Sequence, residues 1–466
     1  MAQGKYMRRK KKSGPQINGM VLILAGLLVF LGIMLGVKSC APSNGETTPP
    51  AIAGDDTKPG QSTKPKPSNG DTTAQTTEGT TAPTEPYVTS TVSIGVTGDV
   101  LVHGPLIQAA KENDGSYDFT SMYEHIDDYF KKYDFMVANL EVTLGGTEAG
   151  PFQGYPAFNC PDSMVDALKD AGVDMLLTAN NHSYDTHYNG FIRTQTVLNE
   201  KNMPYLGTQM TAEDKDYIVR DINGIKVGMV CYTYETTPTE DGRKTLNGIP
   251  LAAKACDLVT SFSYDDLAGF YAEMEQTISS MEAEGAEAIM VFMHWGNEYE
   301  LKPNANQKAI AQKLCDLGVD VIVGGHPHVL QPFTTLTSSE GEKTYCIYSV
   351  GNCISNQRRE SLTDVANENY TEDGVIFGVE FEKWNDGTVK VCGIDLLPTW
   401  VYRSESGGRR VYSVIPLDTE VKDWSVYGVG TSRLFSSYEQ TMAILGESIN
   451  ACRESFSLPA LSLKVE

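Results

Sequence analysis

Acidic side chains are absent from the first 40 positions of this 466-residue chain, apolar ones are nearly absent from 41–86, and the C-x-x-C spacing occurs nowhere. Each gap excludes something. Without C-x-x-C pairs, and with Cys231, Cys346 and Cys392 inside apparent core strands ("GMVCYTY", "TYCIYSV", "VKVCGI"), the eight of the nine cysteines that lie beyond Cys40 read as buried free thiols rather than as a disulfide framework. The Thr/Pro/Ser/Gly/Lys stretch at 41–86 buries too little apolar surface to fold alone. No internal repeat is present.

The first forty residues instead hold cations and one long apolar run. Lys5, Arg8, Arg9, Lys10, Lys11 and Lys12 precede Gly19–Val37, which carries no charge. Nineteen helical residues reach about 28 Å, close to the roughly 30 Å hydrocarbon core of a bilayer. The run is longer than a cleaved signal peptide's apolar region, and Lys38 spoils "VKSC" as a lipoprotein signal, so an uncleaved anchor is expected. The cationic flank places the amino terminus in the cytoplasm and the remainder outside the cell. The expected organisation is a cytoplasmic segment (1–18), a transmembrane helix (19–37), a disordered linker (38–87), one folded domain (88–430) and a helical closing segment (431–466). Beyond residue 40 there are 30 Lys and Arg against 60 Asp and Glu, a net charge of −30. Such a surface repels nucleic acid, so no nucleic-acid partner is expected.

From Val92 strand-like and helix-like segments alternate, which implies an α/β architecture. "VSIGVTGDV", "DFMVANLE", "VDMLLTAN", "EAIMVFMHWG", "VDVIVGG" and "TYCIYSVGN" read as strands. "FTSMYEHIDDYFKKY", "PDSMVDALKDAG", 189–201, 305–317 and 431–454 read as helices. "YIVRDINGIKVGMVCYTY" reads as a hairpin turning at Asn223-Gly224, and two further hairpin-like units occupy 375–398 and 400–417.

Five of the seven histidines follow strands: His103, His182, His294, His326 and His328. Asp99, Glu141 and Asn181 occupy matching positions, whereas a solvated or core imidazole suffices for His125 and His187. In an α/β sheet the carboxyl ends of parallel strands share one edge, so these distant segments bring their polar ends into one crevice. Imidazoles with carboxylates and an amide form a mixed N/O donor set that suits manganese, iron or zinc rather than magnesium or calcium.

"GDVLVHGPL", "NLEVTL", "TANNHSYD", "MHWGNEYE", "GGHPHVLQP" and "YSVGNCIS", spread over about 92–360, resemble in order the motif series of the CapA-type poly-γ-glutamate capsule synthesis proteins. That family is similar to the calcineurin-like metallophosphoesterases. The resemblance implies a four-layer α/β/β/α sandwich with a two-metal site. It implies metal ligands Asp99, His103, Glu141 (bridging), Asn181, His294, His326 and His328. His103 fits least, because it stands four residues after Asp99 where phosphoesterases use a spacing of two. His182 would be the general acid or orient the attacked group. Asn139, Asn180, Asp185, Trp295, Glu298 and Asn352 would support the ligands or face substrate.

The implied chemistry is hydrolysis or transfer at a phosphoryl or acyl centre, at the outer face of the cell membrane and beside membrane-embedded subunits of polyglutamate synthesis or export. Two other readings stay open: a non-catalytic accessory subunit of that complex, and an envelope phosphoesterase or nucleotidase unrelated to capsule.

Overall fold

A computed structural model of the chain describes residues 85–363 and 365–462. The expected cytoplasmic segment, the apolar run at 19–37 and nearly all of the linker lie outside the described residues. Among the described residues no helix is long and apolar enough to cross a membrane.

The strands, in chain order, are β1 (Val88–Val100), β2 (Phe135–Leu140), β3 (Met175–Leu177), β4 (Tyr205–Leu206), β5 (Tyr217–Ile222), β6 (Ile225–Tyr234), β7 (Thr245–Leu246), β8 (Ile249–Pro250), β9 (Ser261–Phe262), β10 (Ala288–His294), β11 (Val321–Gly325), β12 (Leu330–Thr337), β13 (Lys343–Val350), β14 (Asn352–Ile354), β15 (Asp373–Trp384), β16 (Val389–Ser406) and β17 (Arg409–Pro416). The α-helices are α1 (Gly104–Ala110), α2 (Asp127–Phe130), α3 (Ser163–Ala171), α4 (His187–Glu200), α5 (Leu267–Ala283), α6 (Ala305–Asp316) and α7 (Thr431–Ser455).

Two mixed sheets carry the domain. The first has the order β17-β16-β15-β1-β2-β3-β4 with β14 also on β1, and the second the order β12-β13-β11-β10-β6-β5 with β9 also on β6. Strands β1, β2, β3 and β4 run parallel, as do β13, β11, β10 and β6, while antiparallel strands are added outside these blocks.

Strand periodicity sorts the apolar side chains by face. Val92, Ile94 and Val96 of β1, Phe135 and Val137 of β2, Met290 and Phe292 of β10 and Val321 and Val323 of β11 join one buried cluster drawn from both sheets. The alternate residues Met136 and Ala138 pack with Leu106, Phe130, Val165 and Leu168 from the helical segments beside the first sheet. Ile289, Val291 and Ile322 pack with Met274, Ile278, Ile310 and Leu314 of α5 and α6. The mixed α/β reading therefore holds.

Local signals fix several elements as expected. Asn304 and Gln307 form a reciprocal capping box at the start of α6, and α3 stops at Gly172, whose φ of 106° is left-handed. The hairpin turns at Asn223-Gly224 between β5 and β6. All eight cysteines among the described residues are free; Cys231 and Cys346 are buried as expected, whereas Cys392 and Cys256 are only partly buried.

Other expectations are corrected. "FTSMYEHIDDYFKKY" forms only a 3-10 turn at Thr120–Met122 and the four-residue α2. Its apolar residues Phe119, Met122, Tyr123, Ile126 and Phe130 are buried as a helical stripe would be, and Asp118 accepts the Thr120 N–H at 2.9 Å at the start of the 3-10 turn. The two expected C-terminal hairpins share one 18-residue strand, β16, so β15, β16 and β17 form a meander. Strand β12 was not expected: Pro332 argues against a central strand, and the structure places it at a sheet edge, where proline is tolerated.

Candidate metal centre

The carboxyl ends of β1, β2, β3, β10 and β11 converge. Asp99 lies opposite both Asn139 on β2 and Asn352 on β14, while His294 lies opposite Gly325. Glycine is required where these strands meet: a Cβ on Gly98 would stand 1.9 Å from the Gly351 carbonyl oxygen, and one on Gly324 would stand 2.0 Å from that of Tyr348. The turn after β11 bends sharply, with His326 at φ 94° and His328 at φ 55°. A non-glycine residue in this region costs roughly 1–3 kcal/mol and persists only where the surroundings over-determine it. Two such residues, one on each side of Pro327, aim both imidazoles inward.

Asp99 is fully buried. Asn139 donates to its Oδ1 at 2.7 Å, and His328 Nδ1 lies 3.0 Å from its Oδ2. Burial works against the Asp99 charge, but the bond to His328 and that residue's charge outweigh it, and the carboxyl is held below its ordinary range. Burial likewise opposes charge on His328, yet the Asp99 bond lifts that imidazole above its usual value. His328 Nδ1 also lies 3.1 Å from Asn352 Oδ1, so both acceptors engage Nδ1 and Nε2 is left towards Glu141 Oε1 at 3.8 Å.

Glu141 is fully buried, and neither carboxylate oxygen takes part in a hydrogen bond among the described residues. Burial, then the nearby Asp99 and Glu298 charges, push its carboxyl well above the ordinary value. His294 Nε2 lies 3.4 Å from Glu141 Oε1 and 2.7 Å from Asn181 Oδ1. Burial drives His294 down to about 3, and it drives His326 well below its usual value with help from the neighbouring imidazoles.

Donor atoms of Glu141, His294 and His326 all lie within 4.8 Å of one another, as do those of Asp99, Glu141 and His328. Glu141 is common to both trios, and it is the residue for which the family resemblance implies a bridging ligand. Asn181, through its contact with His294, stands beside the first trio.

His103 joins neither. It occupies the N-cap position of α1, with Nδ1 at 3.0 Å from the Leu101 carbonyl and 3.2 Å from the Asn356 amide, and its ring meets Phe158 edge-on at 5.2 Å. His182 stands across the same phenyl ring, 4.7 Å away, with Nδ1 at 2.8 Å from Asp185 Oδ2.

The supporting residues separate in the same way. Asn180 donates to Asn139 Oδ1 at 3.1 Å and accepts the His182 N–H at 3.2 Å, which links Asp99 to the His182 turn. Asn352 braces the His328 turn, donating to its carbonyl at 3.3 Å. Glu298 is exposed on the loop after β10. Trp295 does not face the centre: it is buried in the cluster with α5 and α6, and its Nε1 donates to the Tyr348 carbonyl at 3.0 Å.

Three contributors had no sequence signal. Phe158, Tyr234 and Gln357 read as ordinary apolar or polar residues, yet Phe158 seats two imidazoles, Tyr234 Oη lies 3.2 Å from His326 Nε2, and Gln357 accepts from Asn352 Nδ2 at 3.0 Å.

The family model of "Bacterial capsule synthesis protein PGA_cap" matches residues 93–357. The chain is similar to the "Capsule biosynthesis protein CapA" of Bacillus anthracis, 26% identical over 286 residues that cover 59% of this chain and 62% of that protein. It is also similar to the "PGA biosynthesis protein CapA" of Bacillus subtilis (strain 168), 24% identical over 314 residues that cover 66% of this chain and 73% of that protein. A solved structure that overlays 65% of this chain does so at a TM-score of 0.31 and 8% identity, a likeness too distant to bear on the fold.

Proposed function

The chain belongs to the PGA_cap family of bacterial capsule synthesis proteins, and from that premise we propose that it is a membrane-anchored, outward-facing component of poly-γ-glutamate capsule production whose strand-end residues hold two divalent ions and act on a phosphoryl or acyl centre. One observation carries this reading: two buried trios of N and O donors share Glu141. A buried carboxylate whose oxygens lack hydrogen-bond donors is costly unless a cation offsets it. Asp99, Glu141 and His328 would hold one ion, and Glu141, Asn181, His294 and His326 the other. The mixed donors suit manganese, iron or zinc. Bound there, such ions supply Lewis-acid charge at the attacked centre and ease formation of a nucleophile from water.

The chain's own residues set the rest of the chemistry. Two carboxylates against two divalent charges leave the centre net positive, so it draws an anionic or polarised group in spite of the acidic surface around it. Asp185 accepts the His182 Nδ1–H, and the Phe158 backbone N–H donates to the same carboxylate oxygen at 2.7 Å. This selects the tautomer whose Nε2 is the exchanging nitrogen, the arrangement a general acid or base requires.

A metallophosphoesterase-like four-layer α/β/β/α sandwich is the architecture proposed for this domain, supported by the central cluster between the sheets and the helix-backed clusters outside them. The anchor and the outward orientation are supported by the cationic residues before the uncharged run at 19–37. An anchor in the same bilayer also suits contact with membrane-embedded synthesis or export subunits, and this favours a second reading in which the centre binds without turning over.

Elemental analysis of the purified chain, followed by phosphoester and γ-glutamyl amide substrates with added manganese, tests both. About two ions per chain with turnover supports the enzymatic reading. Two ions without turnover on any substrate supports the accessory one. A chain that binds no metal overturns both.

A further inference from the structure

The two imidazoles of the turn after β11 are held by opposite nitrogens. His328 has both of its oxygen partners, Asp99 Oδ2 and Asn352 Oδ1, at Nδ1. His326 has its partner at Nε2, the Tyr234 phenol oxygen at 3.2 Å, with the two rings 4.9 Å apart. The Nδ1 of His326 is buried and takes part in no hydrogen bond among the described residues.

Two proton arrangements fit that contact, and they differ in what they leave at Nδ1. If the phenol O–H donates to a bare Nε2, the proton of the neutral ring sits on Nδ1, a buried donor without an acceptor that bears its full desolvation penalty. If Nε2–H donates to the phenol oxygen, Nδ1 is a bare lone pair. The only other hydrogen-bond orphans in this trio are Glu141 Oε1 and Oε2, which are also electron-pair donors. One cation satisfies all of these atoms together, whereas no hydrogen-bond donor in the trio does so.

Tyr234 reaches this place by strand register. It ends β6 one residue beyond Thr233, which lies opposite His294, so the phenol arrives on the side of the centre where His294 and His326 face each other with ring centroids 4.8 Å apart.

We propose that Tyr234 is a positioning residue of the metal centre: its phenol oxygen accepts the His326 Nε2–H, fixes that tautomer and makes Nδ1 the ligand atom towards the ion shared with Glu141 and His294. This rests on the two-metal reading above. The two histidines of one turn would then bind through different nitrogens, His326 by Nδ1 and His328 by Nε2, each fixed by the partner on its other nitrogen.

The test is Tyr234→Phe in the full-length chain, with Co²⁺ as the probe ion, read by equilibrium dialysis with elemental analysis and by the Co²⁺ visible absorption spectrum. Loss of a partner to a ligating imidazole typically weakens metal binding 10- to 100-fold. One of the two ions should bind more weakly by that factor and the other as in the parent, the Co²⁺ bands should shift, and the metal-free melting temperature should be unchanged. A parent that binds two ions and a variant with the same affinities and spectrum overturns the proposal alone. Equal weakening of both ions together with a lower metal-free melting temperature also overturns it, because the phenol is then a packing element. A parent that binds no Co²⁺ removes the two-metal reading and this proposal with it.

Discussion

His182 Nδ1 lies 2.8 Å from Asp185 Oδ2, and the side chain that ends this contact is itself pinned by the Phe158 N–H at 2.7 Å. The imidazole is therefore oriented from one side, while its Nε2 stays outside the two trios of candidate ligands. His182→Ala should keep the parent's metal content and lose about 10²- to 10⁴-fold in turnover, the usual worth of general acid–base help. Asp185→Asn should lose part of the same factor, and the double variant should be little worse than His182→Ala, because both changes act through one proton. Metal analysis beside kcat for the three variants decides it. Additive losses would separate the two residues.

The ligand assignment makes a prediction of its own. Replacing His326 and His328 together with alanine should remove most of the bound metal while far-UV circular dichroism stays nearly unchanged. The apolar clusters of the two sheets do not include these side chains, and alanine removes ring volume at the rim rather than in the core. Both positions keep left-handed backbone in parent and variant alike, so that strain does not differ between them. Unchanged metal content would place the ions elsewhere, and collapse of the fold would make the histidines structural.

How far the sequence reached depended on the kind of signal. The candidate ligands at the ends of parallel strands were legible because strand-end chemistry is local: Asp99, Glu141, Asn181, His294, His326 and His328 each follow an apolar run. His103 follows one too, yet belongs to neither trio. It occupies the N-cap position of α1, which begins at the next residue, and its ring nitrogen is engaged by Leu101 and Asn356. Trp295 stands directly after His294, but strand alternation sends the neighbouring side chain to the opposite face, into the helix-backed cluster. Tyr234 and Phe158 could not be found by pattern, since each looks like core and acquires its role only from a partner 92 or 24 residues away.

Stability should carry a pH signature remote from the metal centre. Asp320 is buried at the start of β11, where its Oδ2 accepts the Ile289 N–H at 2.8 Å, and burial raises its carboxyl to about 6 from an ordinary 3.8. A raised carboxyl favours the protonated folded state, so its contribution is fully present below about 3.8 and is lost as pH rises through about 6. At neutral pH the ionised group thus costs on the order of 1–3 kcal/mol. Asp320→Asn keeps an oxygen to accept the Ile289 N–H and removes the charge. The variant's advantage over the parent, from denaturant melts, should grow between about pH 4 and 6.5 and then level off. A difference that is flat across this range would show that Asp320 does not ionise there.

The folded domain should begin close to Glu85. Tyr87 N donates to Asn385 Oδ1 at 3.3 Å, and from Val88 onward β1 pairs with β15 on one side and, from Ile94, with β2 on the other. A chain starting at Glu85 therefore keeps every interior strand of the first sheet, and it should melt cooperatively and bind the same number of ions as the full-length protein. A start at Thr97 removes Val92, Ile94 and Val96 from the central cluster and leaves β15 and β2 without the strand between them. Three buried branched side chains at about 1.5–3 kcal/mol each, with the lost ladder bonds besides, exceed half of the 5–15 kcal/mol that usually separates folded from unfolded chains. That shorter chain should show no cooperative melt and no stoichiometric metal binding. If it does fold and hold metal, β1 is dispensable, and Asp99, which remains in it, must be positioned by Asn139 and His328 rather than by its strand.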